Sequence, residues 1–177
     1  MPRLIHLNGP PGIGKSTLAR RYAADHPGVL CCDVDVLRTM IGGWQDDEGA
    51  AGRARTAALA MVTAYLATGQ DVVVPQLVAR TDQLARFADA AGAAGSEHLH
   101  VMLTSDADTL VRRFRDRAAT DPDEWTAFAT ADWDAQGHDE ALRDLVTRLD
   151  RLTALRVPST DAEATYRALL VALGEDV

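Results

Sequence analysis

A chain of 177 residues with 47% apolar content is long enough to bury the core of one globular domain spanning 1–177. Its 18 basic and 26 acidic residues give a formal net charge of −8, which disfavours nonspecific binding to nucleic acid or to an anionic membrane surface. No apolar run reaches the roughly 20 residues of a membrane span and the N-terminus lacks a signal pattern, so the expectation is a cytoplasmic protein without a membrane partner.

Apolar, strand-like runs fall at Arg3–Asn8, 29–33, 71–75, 98–104 and 152–157, separated by longer helical patterns. That alternation predicts an α/β fold in which helices cover both faces of a five-stranded parallel sheet. A glycine-rich bend after the first run leads into a predicted helix over 15–24, and a short helix over 36–41 stops at Gly42 and Gly43. Leu59, Met61, Val62, Tyr65 and Leu66 lie at helical spacings within 48–67, where Gly69 supplies the stop. Leu110, Val111, Phe114 and Ala118 stripe a helix over 106–118, with Ser105 or Asp106 as its cap. Residues 119–137 are acidic, contain Pro122 and carry Trp125 and Trp133, so they read as a lid-like excursion. Helices over 139–149 and 161–173 complete the chain. The two cysteines, Cys31 and Cys32, are adjacent and close no loop, so they read as reduced thiols. His98 and His100 alternate in a strand with no evident third ligand and receive no role.

The bend itself carries chemistry. Gly9-Pro10-Pro11-Gly12-Ile13-Gly14-Lys15-Ser16 satisfies G-x-x-x-x-G-K-[ST] between a predicted strand and a predicted helix. Glycines let the backbone curl so that its N–H groups point inward at phosphate oxygens, and the following helix adds its positive end. Lys15 supplies a mobile charge to the β- and γ-phosphates, Ser16 offers a hydroxyl to Mg²⁺, and Thr17 flanks the same site. The loop specifies a nucleoside triphosphate, ATP or GTP, without specifying the reaction.

Just beyond the second strand, Asp33 and Asp35 stand where open α/β sheets place their ligands. Phosphoryl transfer to an alcohol needs a carboxylate near the attacking hydroxyl and groups that hold magnesium. Asp35 is the acceptor-side base candidate and Asp33 the magnesium candidate; helix capping accounts for either aspartate equally simply. The loop, the Asp-x-Asp and the helical VLRTMI together resemble the chloramphenicol phosphotransferase and zeta-toxin group of small P-loop kinases. The resemblance implies a Mg²⁺-dependent phosphotransferase acting on a hydroxyl of a small molecule, an antibiotic or a nucleoside- or sugar-containing metabolite, with Asp35 as general base. It also implies lid arginines near the transferred phosphoryl group, which fall on Arg113 or Arg117, and a nucleotide-base contact from the loop at Ser159 and Thr160. A turn that caps the last helix accounts for the same two residues.

The third strand departs from many P-loop enzymes, for it ends Pro75-Gln76 where an acidic residue commonly supports magnesium. Gln76 and Arg80 are therefore candidates for contact with the acceptor, with Gln76 also able to act on magnesium through water. Two other readings remain: a nucleotide or polynucleotide kinase, the latter opposed by the acidic balance, and a nucleotide-dependent sensor without catalysis.

Overall fold

The structure, a computed structural model describing residues 1–120, 124–135 and 137–176, alternates strand and helix throughout. Strand β1 (Arg3–Asn8) leads into α1 (Lys15–Asp25), the two-residue β2 (Leu30–Cys31) and the short α2 (Val34–Thr39). There follow α3 (Ala50–Leu66), β3 (Val72–Pro75), α4 (Thr81–Ala93) and β4 (Glu97–Thr104). The chain continues through α5 (Ala107–Thr120), α6 (Glu124–Ala135), α7 (His138–Leu149), β5 (Leu155–Pro158) and α8 (Ala162–Ala172). All five strands pair in parallel in the order β2-β3-β1-β4-β5. The chain thus leaves β1 for the outer position of β2, returns to lay β3 between them, then crosses β1 to add β4 and β5. The C-terminal end of β1 lies at that reversal, where a crevice opens for a ligand.

Strand alternation divides the core in two. Ile5 and Leu7 join Val73, Val101 and Leu103 on the face covered by Leu18 and Tyr22 of α1, Leu110 of α5, Leu142, Leu145 and Leu149 of α7, and Leu169 of α8. Leu4 joins Val72 and Val74 on the opposite face, under Ala54, Ala58, Val62 and Leu66 of α3 and Phe87 and Ala91 of α4. Parallel strands buried on both faces explain the continuous apolar run Val72-Val73-Val74. No helix among the described residues is long and apolar enough to cross a membrane.

Several boundaries differ from the sequence expectation for identifiable reasons. The second strand shortens to Leu30–Cys31 because Asp33 turns the chain, its Oδ1 accepting a hydrogen bond from the Asp35 backbone N–H at 3.1 Å. The buried stripe of α3 is Ala50, Ala54, Ala58, Val62 and Leu66, with Leu59 and Tyr65 partly buried against the same core and Met61 alone of the expected stripe facing solvent. The last strand begins at Leu155, since Leu152 is spent in the turn that seals α7 against the core. Helix α4 falls in a stretch left without an element by the apolar pattern. Within the excursion, 124–135 is helical; Pro122 lies outside the described residues. Asp106 caps α5 as expected, accepting from the Thr109 N–H at 2.8 Å. Both cysteines are free, and burial pushes each thiol up to about 11.

Candidate active site

The phosphate loop is tied down at both ends by side chains. Asn8 Oδ1 accepts from the backbone N–H groups of Gly9 at 2.8 Å and Val78 at 3.0 Å, and its Nδ2 donates to Val78 O at 2.7 Å. This one amide joins the end of β1 to the segment leaving β3. Gly9 is held at φ 149°, where an added Cβ would stand 3.1 Å from both Leu103 O and Ile13 Cγ2, so only glycine passes between them. Gly14, at φ 94°, turns the loop into α1. At the far side Ser159 Oγ donates to Ile13 O at 3.1 Å. Lys15 folds over the loop, its Nζ donating to Gly9 O at 2.8 Å and Pro10 O at 3.0 Å, which brings the ammonium to the place where a phosphate chain would lie.

A cavity of about 890 Å³ opens beside the loop and is lined by Lys15, Ser16 and Thr17, by Asp33, Asp35 and Arg38 of the α2 region, by Arg55 of α3, by Gln76, by Arg113 of α5 and by Trp125 of α6. Asp35 and Arg38 stand three residues apart on α2 and so share a helix face. Burial pushes the Asp35 carboxyl up to about 6, aided by the neighbouring Asp33 charge and opposed by Lys15, Arg38 and Arg55. A second cavity of about 620 Å³ lies on the other side of Pro10, lined by Thr104, Ser105, Asp106, Arg112, Pro158, Ser159 and Thr160. Arg113 lines both. Its guanidinium donates to Ser159 Oγ at 3.1 Å and to the Thr160 carbonyl.

The cavity brings Lys15, Ser16, Thr17, Asp33, Asp35, Gln76 and Arg113 together, while Gly9, Pro10 and Ile13 of the loop and Arg80 stay outside its lining. Arg80 stands apart, fully ion-paired at 2.8 Å with Asp82 on the exposed start of α4 and absent from the lining. Asp33 spends one oxygen on the α2 cap and turns the other toward Arg20 at 3.8 Å, although it still borders the cavity. The side chain of Arg117 lies outside the described residues. The Ser159 and Thr160 loop abuts the phosphate loop, and the capping of α8 falls to Asp161, which accepts from the Ala164 N–H at 2.8 Å.

A family model described as an AAA domain matches residues 4–139, from β1 through the phosphate loop, Asp35 and Arg113. The chain belongs to the AAA domain family. A comparison with curated sequences finds no match. Among solved structures, this AAA domain is similar to the tunicamycin resistance protein of Deinococcus radiodurans, at 16% identity and TM-score 0.66 over 99% of this chain and 98% of that one. It is also similar to a gluconokinase from Sinorhizobium meliloti 1021, at 18% identity and TM-score 0.63 over 98% and 92%. A Chloroflexus aurantiacus structure matches at 17% identity and TM-score 0.70 over 98% and 95%. At such identities the likeness establishes the fold, a kinase-type P-loop α/β architecture with a five-stranded parallel sheet.

Three site residues of the AAA domain escape the sequence reading. Asn8 precedes the loop motif and acts through three backbone groups. Arg38 sits in the very helix that carries the resemblance, and its spacing from Asp35 was the available signal. Arg55 reaches the cavity from α3, and no local pattern marks it.

Proposed function

We propose that this AAA domain transfers the γ-phosphoryl group of ATP or GTP to a hydroxyl of a small molecule, as the resemblance to the chloramphenicol phosphotransferase and zeta-toxin group implies. The observation that carries the reading is Asp35, a carboxylate in the same cavity as Lys15 whose carboxyl is pushed up to about 6. A base in that range is ionised near neutrality yet basic enough to accept a proton. In the reaction the acceptor O–H gives its proton to Asp35 as its oxygen bonds the γ-phosphorus, and the bond to the bridging oxygen breaks to release the nucleoside diphosphate. Lys15 and the loop N–H groups hold the phosphates and offset the charge that develops on them. The smaller cavity is assigned to the nucleoside, which puts Arg113 at the junction where the phosphoryl group passes; Arg117 is the alternative lid arginine.

The residues present suit magnesium: Ser16 offers a hydroxyl, Asp33 a carboxylate, and Gln76 a buried Oε1 with no hydrogen-bond partner in the same cavity. Bound there through water, the ion would neutralise phosphate charge, a role for hard oxygen donors. The candidate acceptors are hydroxylated antibiotics and nucleoside- or sugar-containing metabolites. One observation favours a nucleotide acceptor as a second reading, for the cavity lining holds five cationic side chains against two carboxylates in a chain of net charge −8.

Asp35→Asn tests the proposal. Acceptor-dependent release of nucleoside diphosphate, assayed over a panel of such alcohols, should fall on the order of 10²–10⁴-fold while nucleotide affinity by calorimetry is kept. An unchanged rate returns Asp35 to a capping neighbour and favours the sensor reading; lost nucleotide affinity moves it to the magnesium site.

A further inference from the structure

Beyond Leu7 and Pro75 the two central strands part. Their last ladder bond runs from the Gln76 N–H to Leu7 O at 3.1 Å, and the next would join the Gly9 N–H to the Gln76 carbonyl. Neither group makes that bond, because Gly9 gives its N–H to the Asn8 side chain and the Gln76 carbonyl accepts from His6 Nε2 at 2.9 Å. The chains diverge here into the phosphate loop on one side and Gln76-Leu77-Val78 on the other. Gln76 and Leu77 form part of the wall of the larger cavity, which Lys15, Ser16 and Asp35 also line.

Asn8 spans the gap. Its side chain is completely buried and both of its ends are committed. Oδ1 accepts from the N–H groups of Gly9 and Val78, while Nδ2 gives one proton to Val78 O at 2.7 Å and the other to His100 Nε2 at 3.0 Å. One amide thus pairs with both the N–H and the C=O of Val78, as a neighbouring strand would. The amide cannot turn over, for His100 donates its Nδ1 proton to Thr153 O at 2.9 Å and is left with an Nε2 that only accepts. His100 lines neither the larger nor the smaller cavity, so it fixes the direction of Asn8 without reaching a ligand itself.

We infer that Asn8 is a positioning residue, which holds the phosphate loop and the Gln76-Leu77 wall at one spacing so that a terminal phosphoryl group on the loop meets an acceptor lying against the wall. The effect on turnover rests on the phosphotransferase reading above, whereas the coupling of loop to wall does not. The two ideas therefore separate by experiment.

Asn8→Asp keeps an oxygen for the Gly9 and Val78 N–H groups but sets a second oxygen, with no proton to give, against Val78 O. It should lower kcat about 10²-fold, the cost of misplacing reacting groups by roughly 1 Å, while nucleotide affinity by calorimetry stays within about three-fold. His100→Leu removes the acceptor that orients Asn8 and should lower kcat about ten-fold; His100→Gln, which offers an amide oxygen at similar reach, should restore most of it. Thermal melting confirms that each variant is folded at the assay temperature. Amide exchange on the full chain, with and without a non-hydrolysable ATP analogue, needs no turnover. In the wild-type protein the analogue should slow exchange at Leu77 and Val78 as well as in the phosphate loop, and in Asn8→Asp and His100→Leu the slowing should be confined to the loop. An unchanged kcat in Asn8→Asp, a loss of kcat matched by an equal loss of nucleotide affinity, His100→Gln no better than His100→Leu, or no slowing at Leu77 and Val78 in the wild-type protein overturns the inference. Coupled protection of loop and wall without phosphate transfer to any alcohol keeps the positioning role and counts against the phosphotransferase reading alone.

Discussion

Asp35 is balanced between opposing neighbours, and its reactivity should follow that balance. Burial and Asp33 hold its carboxyl at about 6, while Lys15, Arg38 and Arg55 pull it down. A base works only when ionised, so kcat/KM for phosphate transfer should be full above that value and fall as pH drops through about 6. Removing the charge of Arg55 removes one of the influences that lower it, so in Arg55→Gln the acid limb should move to higher pH. A limb that stays in place when Arg55 is neutralised would separate the titrating group from Asp35. At this scale the sequence showed what a contiguous pattern can show. Lys15 and Ser16 were legible because phosphate binding demands a fixed spacing within one loop. Asn8 and Arg55 were not, because each acts on partners distant in the chain: Val78 lies 70 residues from Asn8, and Arg55 meets Asp35 from another helix. Arg80 attracted attention by following a ligand-end strand, but a neighbour two residues on took its charge.

Among the described side chains, an aromatic patch joins α6 to the rest of the protein. Trp125 and Phe128, three residues apart on α6, meet Trp44 with centroids at 5.8 and 4.9 Å, and Arg38 of α2 joins them. The helix over 124–135 was not legible, since Ala-Phe-Ala-Thr-Ala-Asp-Trp lacks a clean apolar stripe and Trp125 and Phe128 pack in an aromatic patch. Helix α4 was missed for a related reason: apart from Leu84 and Phe87 its packing residues are alanines, which carry little periodic signal. Trp125→Ala should loosen α6 by about 1–2 kcal/mol, the worth of aromatic and cation–π contacts at a half-buried site. Amide exchange in α6 should then speed roughly ten-fold or more, with β1 and β3 unchanged. Equal acceleration in the sheet would mean that the patch supports the whole fold rather than the docking of one helix.

For the whole molecule, the alternation of apolar runs conveyed the sheet and its parallel sense, but the order β2-β3-β1-β4-β5 and what the strands bring together across the sheet depend on pairing that no single strand encodes. One result of that pairing is a stack of three imidazoles. His6 on β1 lies opposite His100 on β4, with ring centroids 5.3 Å apart, and His98 lies 6.0 Å from His6. The hydrogen bonds define neutral rings: His100 donates from Nδ1 to Thr153 O at 2.9 Å and accepts at Nε2 from Asn8 at 3.0 Å, and His6 donates from Nε2 to Gln76 O at 2.9 Å. Burial pushes His6 down to about 3 and His98 to about 4, and lowers His100 as well. An unfolded histidine titrates near 6.5, so this stability is present above that pH and is lost as pH falls from about 6.5 toward 4 and 3. Asp35 acts in the opposite sense, since its carboxyl is raised on folding and its protonation relieves the folded state as pH falls through 6. Glu175 and Asp161, both lowered, lose their contribution only below the ordinary carboxylate range. The histidines therefore govern the interval from pH 6.5 to 5, each unprotonated ring contributing a slope of about 1.4 kcal/mol per pH unit. Urea unfolding at pH 7.5, 6 and 5 should show stability falling across that interval. His98→Gln, the safer substitution because His98 is only half-buried, should flatten the fall by about one ring's share. Because the rings stay neutral in the folded protein across that interval, His100 keeps accepting from Asn8, and nucleotide affinity should hold until the sheet itself opens. An unchanged slope in His98→Gln, or nucleotide affinity lost while the strands remain protected from exchange, would assign the acid effect to other groups.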